Sequence, residues 1–146
     1  MGFAVSSGVA SAGERVLSTV GSWRVILNLN PDNSFNRCLI ETTQGGQMLR
    51  IAGGAKSTDL SLSVPAMGIP NGGQGTIGSD GMQPEYFTFA ANKLRAWTAI
   101  PWEMGLHLEK ARSIEVGVNR RQMKWRVSGT KQAMIRMTDC VNQNAP

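Results

Sequence analysis

Apolar side chains fall at alternate positions in a series of short runs along the chain, the pattern of strands that bury one face. Trp23, Val25 and Leu27 alternate with Arg24, Ile26 and Asn28, and the cluster Pro31-Asp32-Asn33-Ser34 then turns the chain. In Arg37-Cys38-Leu39-Ile40-Glu41-Thr42, Cys38 and Ile40 share a face, which puts the thiol on the inward side. Gln44-Gly45-Gly46 makes a tight connection to Met48-Leu49-Arg50-Ile51. Leu60, Leu62 and Val64 alternate with Ser61 and Ser63 until Pro65 stops that strand.

From Pro65 to Pro84 the chain carries six glycines and three prolines with few apolar anchors, which predicts a long surface loop with at most a short strand at Thr76-Ile77. Gly72-Gly73-Gln74-Gly75 lacks the Lys-Ser/Thr pair of a phosphate-cradling loop and does not run from a strand into a helix. Strand character returns at Tyr86-Phe87-Thr88-Phe89 and at Leu94 to Ile100, with Ala91-Asn92-Lys93 between them as the turn of a hairpin. Pro101 suits a helix start, and Met104, Leu108 and Ala111 follow at amphipathic spacing, predicting a short helix over 102–112 that Gly105 weakens.

A second hairpin runs from Ser113 to Val127. Ile114, Val116 and Val118 lead into Asn119-Arg120-Arg121, and Met123, Trp125 and Val127 answer with the same alternation. Ser128-Gly129-Thr130 offers a hydroxyl cap for a final helix over 130–141, whose apolar stripe is Ala133, Met134, Met137, Cys140 and Val141. Lys131, Gln132, Arg136 and Asp139 fall outside that stripe.

Cysteine content ties the two ends together. The two cysteines, Cys38 and Cys140, are separated by 102 residues and read as one disulfide. Closing a loop that long stabilises a fold by roughly 4–5 kcal/mol in a chain-entropy treatment. The competing interpretation is a pair of buried free thiols in a cytosolic domain. Residues 1–12 favour the bridge, because they are small, weakly apolar and end in Ala10-Ser11-Ala12, like the tail of a truncated signal peptide. The rest, 13–146, is expected to form a single β-rich domain with no membrane span and a soluble mature form. Seventeen glycines and 17% charged residues fit short strands joined by turns. The predicted fold class is therefore mainly β (α+β): an antiparallel β-sandwich or partly open barrel, with the disulfide tying down the C-terminal helix.

Three segments carry a resemblance: Gly21-Ser22-Trp23-Arg24-Val25, Arg37 to Thr42, and Trp125-Arg126-Val127-Ser128-Gly129-Thr130-Lys131-Gln132-Ala133 through Cys140. In these the chain resembles small exported β-rich proteins of Gram-negative bacteria, including relatives of the invasion-associated locus B proteins. The resemblance implies an exported β-rich body and no catalytic residue.

The candidate chemistry is sparse. His107, the only histidine, lies in Leu106-His107-Leu108 with no nucleophile or ligand set at a useful spacing. Glu103, Glu109, Glu115 and Asp139 could formally furnish a carboxylate pair but are expected on solvated faces. No cofactor and no metal site is expected.

Charge distribution says more. Residues 93–141 hold ten basic residues against four acidic ones, a net of +6, while residues 1–92 hold five against six, a net of −1. With Met123, Trp125 and Val127 inward, Lys124 and Arg126 must point outward, and Arg120 and Arg121 stand at the end of the same ribbon. Arg120, Arg121, Lys124 and Arg126 are thus the candidate anionic-surface contacts, against the alternative that they only protect an edge strand. The resulting function is a non-enzymatic exported or periplasmic module that binds an envelope protein or an anionic envelope component. The alternatives are a small basic nucleic-acid-binding domain and a secreted protease inhibitor using the 65–84 loop. Trp23, Trp97 and Trp125 fall in phase with buried positions, which leaves Tyr86 and Trp102 as exposed aromatics for stacking on bases.

Overall fold

A computed structural model describes residues 13–53, 60–66, 72–80, 82–118 and 120–146. The leader-like segment 1–12 lies outside them. The strands are β1 (Glu14–Val20), β2 (Trp23–Leu29), β3 (Phe35–Gln44), β4 (Gln47–Gly53), β5 (Leu60–Pro65), β6 (Gly73–Ser79), β7 (Glu85–Ala91), β8 (Arg95–Ile100), β9 (Ser113–Val118) and β10 (Arg121–Arg126). Two helices accompany them, α1 (Trp102–Glu109) and α2 (Thr130–Asn144).

All ten strands form one antiparallel sheet in the order β1-β2-β3-β4-β5-β8-β7-β6-β9-β10. The first five follow one another as a meander. The chain then crosses to β6, returns through β7 and β8 to close against β5, and crosses again through α1 to reach β9.

The sheet is not closed by strand pairing, but it curls until β10 meets the β3–β4 turn. The Arg126 N–H donates to Gln44 Oε1 at 2.8 Å, Gln44 Nε2 donates back to the Arg126 carbonyl, and Trp125 Nε1 donates to the Gln47 carbonyl at 3.0 Å. A partly open barrel is the better of the two predicted architectures. Its interior is filled by the alternating residues read from the sequence, among them Trp23, Ile40, Leu49, Ile51, Leu62, Ile100, Val116 and Trp125, all buried. Fully burying side chains of this size contributes on the order of 1.5–3 kcal/mol each.

Helix α2 packs on β2 and β3, burying Ala133, Met134, Met137 and Cys140 as its stripe requires. Cys38 and Cys140 are disulfide-bonded with their Cα atoms 6.1 Å apart, and no free cysteine remains. The helix runs three residues beyond its predicted end at 141 and is not capped by a hydroxyl. Its N-cap is Gly129 at φ 72°, and Thr130 Oγ1 instead accepts from Trp23 Nε1 at 2.9 Å. Buried indole N–H groups need a partner, and this one outcompetes the helix end. Gly21, at φ 57°, allows the adjacent turn: a Cβ there would stand 2.2 Å from the Ser128 carbonyl oxygen.

Four departures from the sequence pattern stand out. Residues 67–71 and 81 of the predicted 65–84 loop lie outside the described residues, and of the rest Gly73–Ser79 is not loop but β6, an interior strand between β7 and β9. Its glycines are packing residues: a Cβ on Gly75 would lie 2.5 Å from the Gly117 carbonyl oxygen and 2.8 Å from the Phe89 ring. Strand β1 was not legible as a strand, being an edge strand with a register shift between Val16 and Ser18 and half its side chains exposed. Helix α1 stops at Glu109, short of 112, and Gly105 within it is buried where a Cβ would meet Leu60 Cδ1 at 2.7 Å. Trp97 is the fourth. In β8 the inward positions are Ala96, Thr98 and Ile100, so Trp97 faces outward and is 39% exposed.

Candidate functional site

The four cations of the predicted ribbon lie on the β9–β10 hairpin. Register in the β9–β10 hairpin pairs Lys124 with Glu115 and Arg126 with Ser113, while Met123 and Trp125 turn inward and are buried. Arg120, Arg121, Lys124 and Arg126 are all exposed. Among the described residues none of the four has a carboxylate within ion-pair distance. The pairing of Val118 with Arg121 leaves a two-residue turn, and Arg120 sits in it at φ 63°. Such turns call for left-handed residues, and a non-glycine residue there carries of order 1 kcal/mol of strain.

Beside this turn runs a shallow groove of about 200 Å³. Tyr86, Arg120 and Arg121 line it together with Gly75, Gly117 and neighbouring polar residues of β6 and β10. Tyr86 is 75% exposed. The hairpin's other end is anchored by Asp80, whose Oδ1 accepts from the backbone N–H groups of Arg112 and Ser113 at 2.8 and 2.9 Å. Those bonds hold the Asp80 carboxyl below its ordinary range.

A second cluster of charge lies elsewhere on the outer face, over β3, β4, β5 and β8. Register brings Arg24, Glu41, Arg50, Ser63 and Trp97 into one row across five strands. Glu41, only 1% exposed, accepts from Arg24 on one side and from Arg50 on the other, the latter at 3.0 Å. Arg50 also reaches Glu14 of β1 at 3.2 Å. Beyond this ion-paired row opens a pocket of about 390 Å³ lined by Arg37, Arg50, Ser61, Ser63, Asn92, Arg95 and Trp97.

Three guanidinium groups therefore converge on one cavity. Arg95 is fixed by two hydrogen bonds of 2.8 Å, to the Met48 carbonyl and to Ser63 Oγ. Burial, with Arg50 nearby, lowers its pKa to about 10. Arg37 is likewise held below its ordinary value by burial and by Arg50. Among the described residues its buried Nε has no hydrogen-bond partner. Buried donors of this kind are uncommon and costly, and like charges so placed repel one another.

Sequence reasoning found the ribbon and missed this pocket. Arg37 and Arg50 were legible as outward-facing neighbours of Cys38 and Ile51, and the tight β3–β4 turn fixes the pairing of Glu41 with Arg50. The pairing of β5 with β8, which delivers Arg95 and Trp97, is non-local and left no mark in the local pattern.

The remaining candidates stay scattered. His107 is exposed on α1, Glu103 and Glu109 lie on α1, Glu115 on β9 and Asp139 on α2. Among the described residues no three His, Cys, Asp or Glu side chains stand close enough to hold a metal ion. No described helix is long and apolar enough to cross a membrane. The chain matches no protein-family model, and no curated protein or solved structure matches it.

Proposed function

We propose that the chain is a non-enzymatic exported module, periplasmic or secreted, that meets an anionic envelope component or the acidic face of an envelope protein through its β9–β10 ribbon. The observation that carries this reading is the set of four exposed cations, Arg120, Arg121, Lys124 and Arg126, on one hairpin with no carboxylate in ion-pair distance among the described residues. With Arg120 in the turn, Arg121 at the exposed start of β10 and Lys124 and Arg126 on its outer face, they sum their fields over a broad surface. Export is supported by the Cys38–Cys140 disulfide, since such bonds persist in oxidising compartments.

One observation favours a second reading, a small single-strand nucleic-acid binder: Tyr86 stands exposed against Arg120 and Arg121, a stacking ring beside two cations. The inhibitor reading loses support, because much of its loop is the interior strand β6.

The discriminating experiment replaces Arg120, Arg121, Lys124 and Arg126 with Gln and compares retention on anionic vesicles, lipopolysaccharide and single-stranded DNA at two salt concentrations. The envelope reading expects retention on vesicles or lipopolysaccharide that is lost in the variant and weakens with salt, because exposed charges are screened over about 8 Å at physiological ionic strength. A loss confined to DNA promotes the second reading. Retention on all three that is insensitive to both substitution and salt leaves the cations as protection of the β10 edge.

A further inference from the structure

We propose that the pocket between Arg37, Arg50 and Arg95 is a binding site for a phosphate monoester carried on a sugar ring. The site is separate from the ribbon and does not depend on the function proposed for it.

Charge balance selects the head group. Arg24, Arg37, Arg50 and Arg95 face only Glu14 and Glu41, a surplus of two positive charges among the described residues of the cluster. A phosphate monoester near neutral pH carries about −1.5 to −2 and neutralises that surplus, whereas a carboxylate or a sulfate ester carries a single negative charge and leaves part of it.

Hydrogen bonding agrees with charge. Arg50 is occupied with two carboxylates and holds its place in the wall. Arg95 is oriented by Met48 and Ser63, so its remaining N–H groups are fixed in direction before any ligand arrives. Arg37 brings the buried Nε that has no partner among the described residues. Planar guanidinium forks match tetrahedral phosphate oxygens, and an anion would relieve the mutual repulsion of three cations that have already lost part of their hydration.

The rest of the pocket is shaped for more than a bare ion. Its volume of about 390 Å³ falls within the range of small-molecule sites. Trp97 supplies a flat apolar wall, and Ser61 and Asn92 supply polar groups beside it. Asn92 spends its Oδ1 on the N–H groups of Leu94 and Arg95, which turns its NH₂ toward use as a donor. A sugar ring has this division, an apolar face of C–H groups edged by hydroxyls.

The test uses the full disulfide-bonded protein with the four ribbon cations replaced by Gln, so that non-specific attraction is removed. Calorimetric titration compares glucose 1-phosphate, inorganic phosphate and glucose. Glucose 1-phosphate should bind about fivefold tighter than inorganic phosphate, the worth of one aromatic contact, and glucose should not bind. Arg37→Gln should weaken both phosphates by about tenfold, because a charge-assisted bond is lost. That variant should also fold normally, since its Nε holds nothing in place. Trp97→Ala should bring glucose 1-phosphate down to the affinity of inorganic phosphate and leave the latter unchanged. Wild-type affinity in Arg37→Gln, equal binding of glucose, or no binding at millimolar ligand would overturn the proposal. Vesicles containing phosphatidic acid present the same monoester on a lipid; Arg37-dependent retention there in place of glucose 1-phosphate binding would overturn the sugar assignment.

Discussion

The outer face of the sheet carries positive charge in two arrangements that differ in every physical respect but sign. On the β9–β10 hairpin the cations are exposed and, among the described residues, have no carboxylate within ion-pair distance. Over β3, β4, β5 and β8 they are half-buried and line one cavity, with Arg50 ion-paired, Arg95 bonded to a backbone carbonyl and to Ser63, and Arg37 close enough to Arg50 to feel its charge. The first arrangement costs the fold little and offers a partner only a diffuse field. The second costs desolvation and repulsion and offers fixed donors in a cavity of defined shape. Position on the sheet produces the difference, because β10 is an edge strand while β4, β5 and β8 are flanked on both sides.

Breaking the disulfide should have the largest effect and should separate the two regions. Cys38→Ser with Cys140→Ser is expected to lower stability by about 4–5 kcal/mol, the chain-entropy worth of so long a loop. Because Cys38 adjoins Arg37, binding at the arginine pocket should weaken in whatever folded protein remains, with retention through the ribbon unchanged. Urea unfolding followed by tryptophan fluorescence measures the first effect. A loss below about 1 kcal/mol would contradict the loop-closure account.

Glu41→Gln comes next. It leaves Arg24 and Arg50 without the carboxylate they share, and removing one partner from a buried pair costs about 3 kcal/mol. Removing all four ribbon cations should change stability by no more than about 0.5 kcal/mol, as for ordinary surface substitutions. Equal costs for the two sets of substitutions would erase the distinction between the regions.

Alkaline titration sharpens the contrast further. Burial, with Arg50 nearby, holds the Arg95 pKa in the folded protein at about 10, well below the ordinary guanidinium value that it keeps in the unfolded chain. Over that interval the unfolded chain binds more protons than the folded one, so the penalty carried by charged Arg95 is relieved and its contribution to stability rises with pH. Anion binding in the pocket should accordingly fall through about pH 10. Ribbon retention should not share that midpoint, and a common midpoint for both would refute the assignment of the effect to Arg95.

The smallest expected effect is at acid pH and on the ribbon side. Asp80 has its pKa lowered by bonds to the Arg112 and Ser113 amides, so its contribution to order is present above pH 3.8 and is lost as pH falls through the folded-state value. Hydrogen exchange at those two amides should accelerate there, and Asp80→Asn should abolish the pH response. An unchanged response in that variant would place its origin elsewhere.

What the sequence discloses follows from how far each pairing reaches along the chain. Hairpins such as β9–β10 and β3–β4 were legible because turn and alternation are local. The Cys38–Cys140 bridge was legible because two cysteines on inward positions leave one pairing. Strand β6 was hidden by the glycines that let Phe89 and the Gly117 carbonyl approach it, since a residue without a side chain has no phase to read. Trp97 misled through its own hydrophobicity: in Ala96-Trp97-Thr98 the small residues fill a crowded interior and the large ring is left outside. The pocket inherits both difficulties, for it needs the long-range union of β5 with β8 and a tryptophan in the polar phase.

Gln44 gives the curled sheet a chemical peculiarity. A primary carboxamide has the same one-acceptor, donor-bearing layout as a peptide group, so its reciprocal bonds with Arg126 act as a single rung of β-ladder made without a strand. Edge strand β10 is thus tied to the end of β3 by a side chain that could be exchanged for an isostere. A carboxylate in its place would still accept from the Arg126 N–H but would turn an oxygen toward the Arg126 carbonyl, converting the join into a repulsion with almost no change of shape.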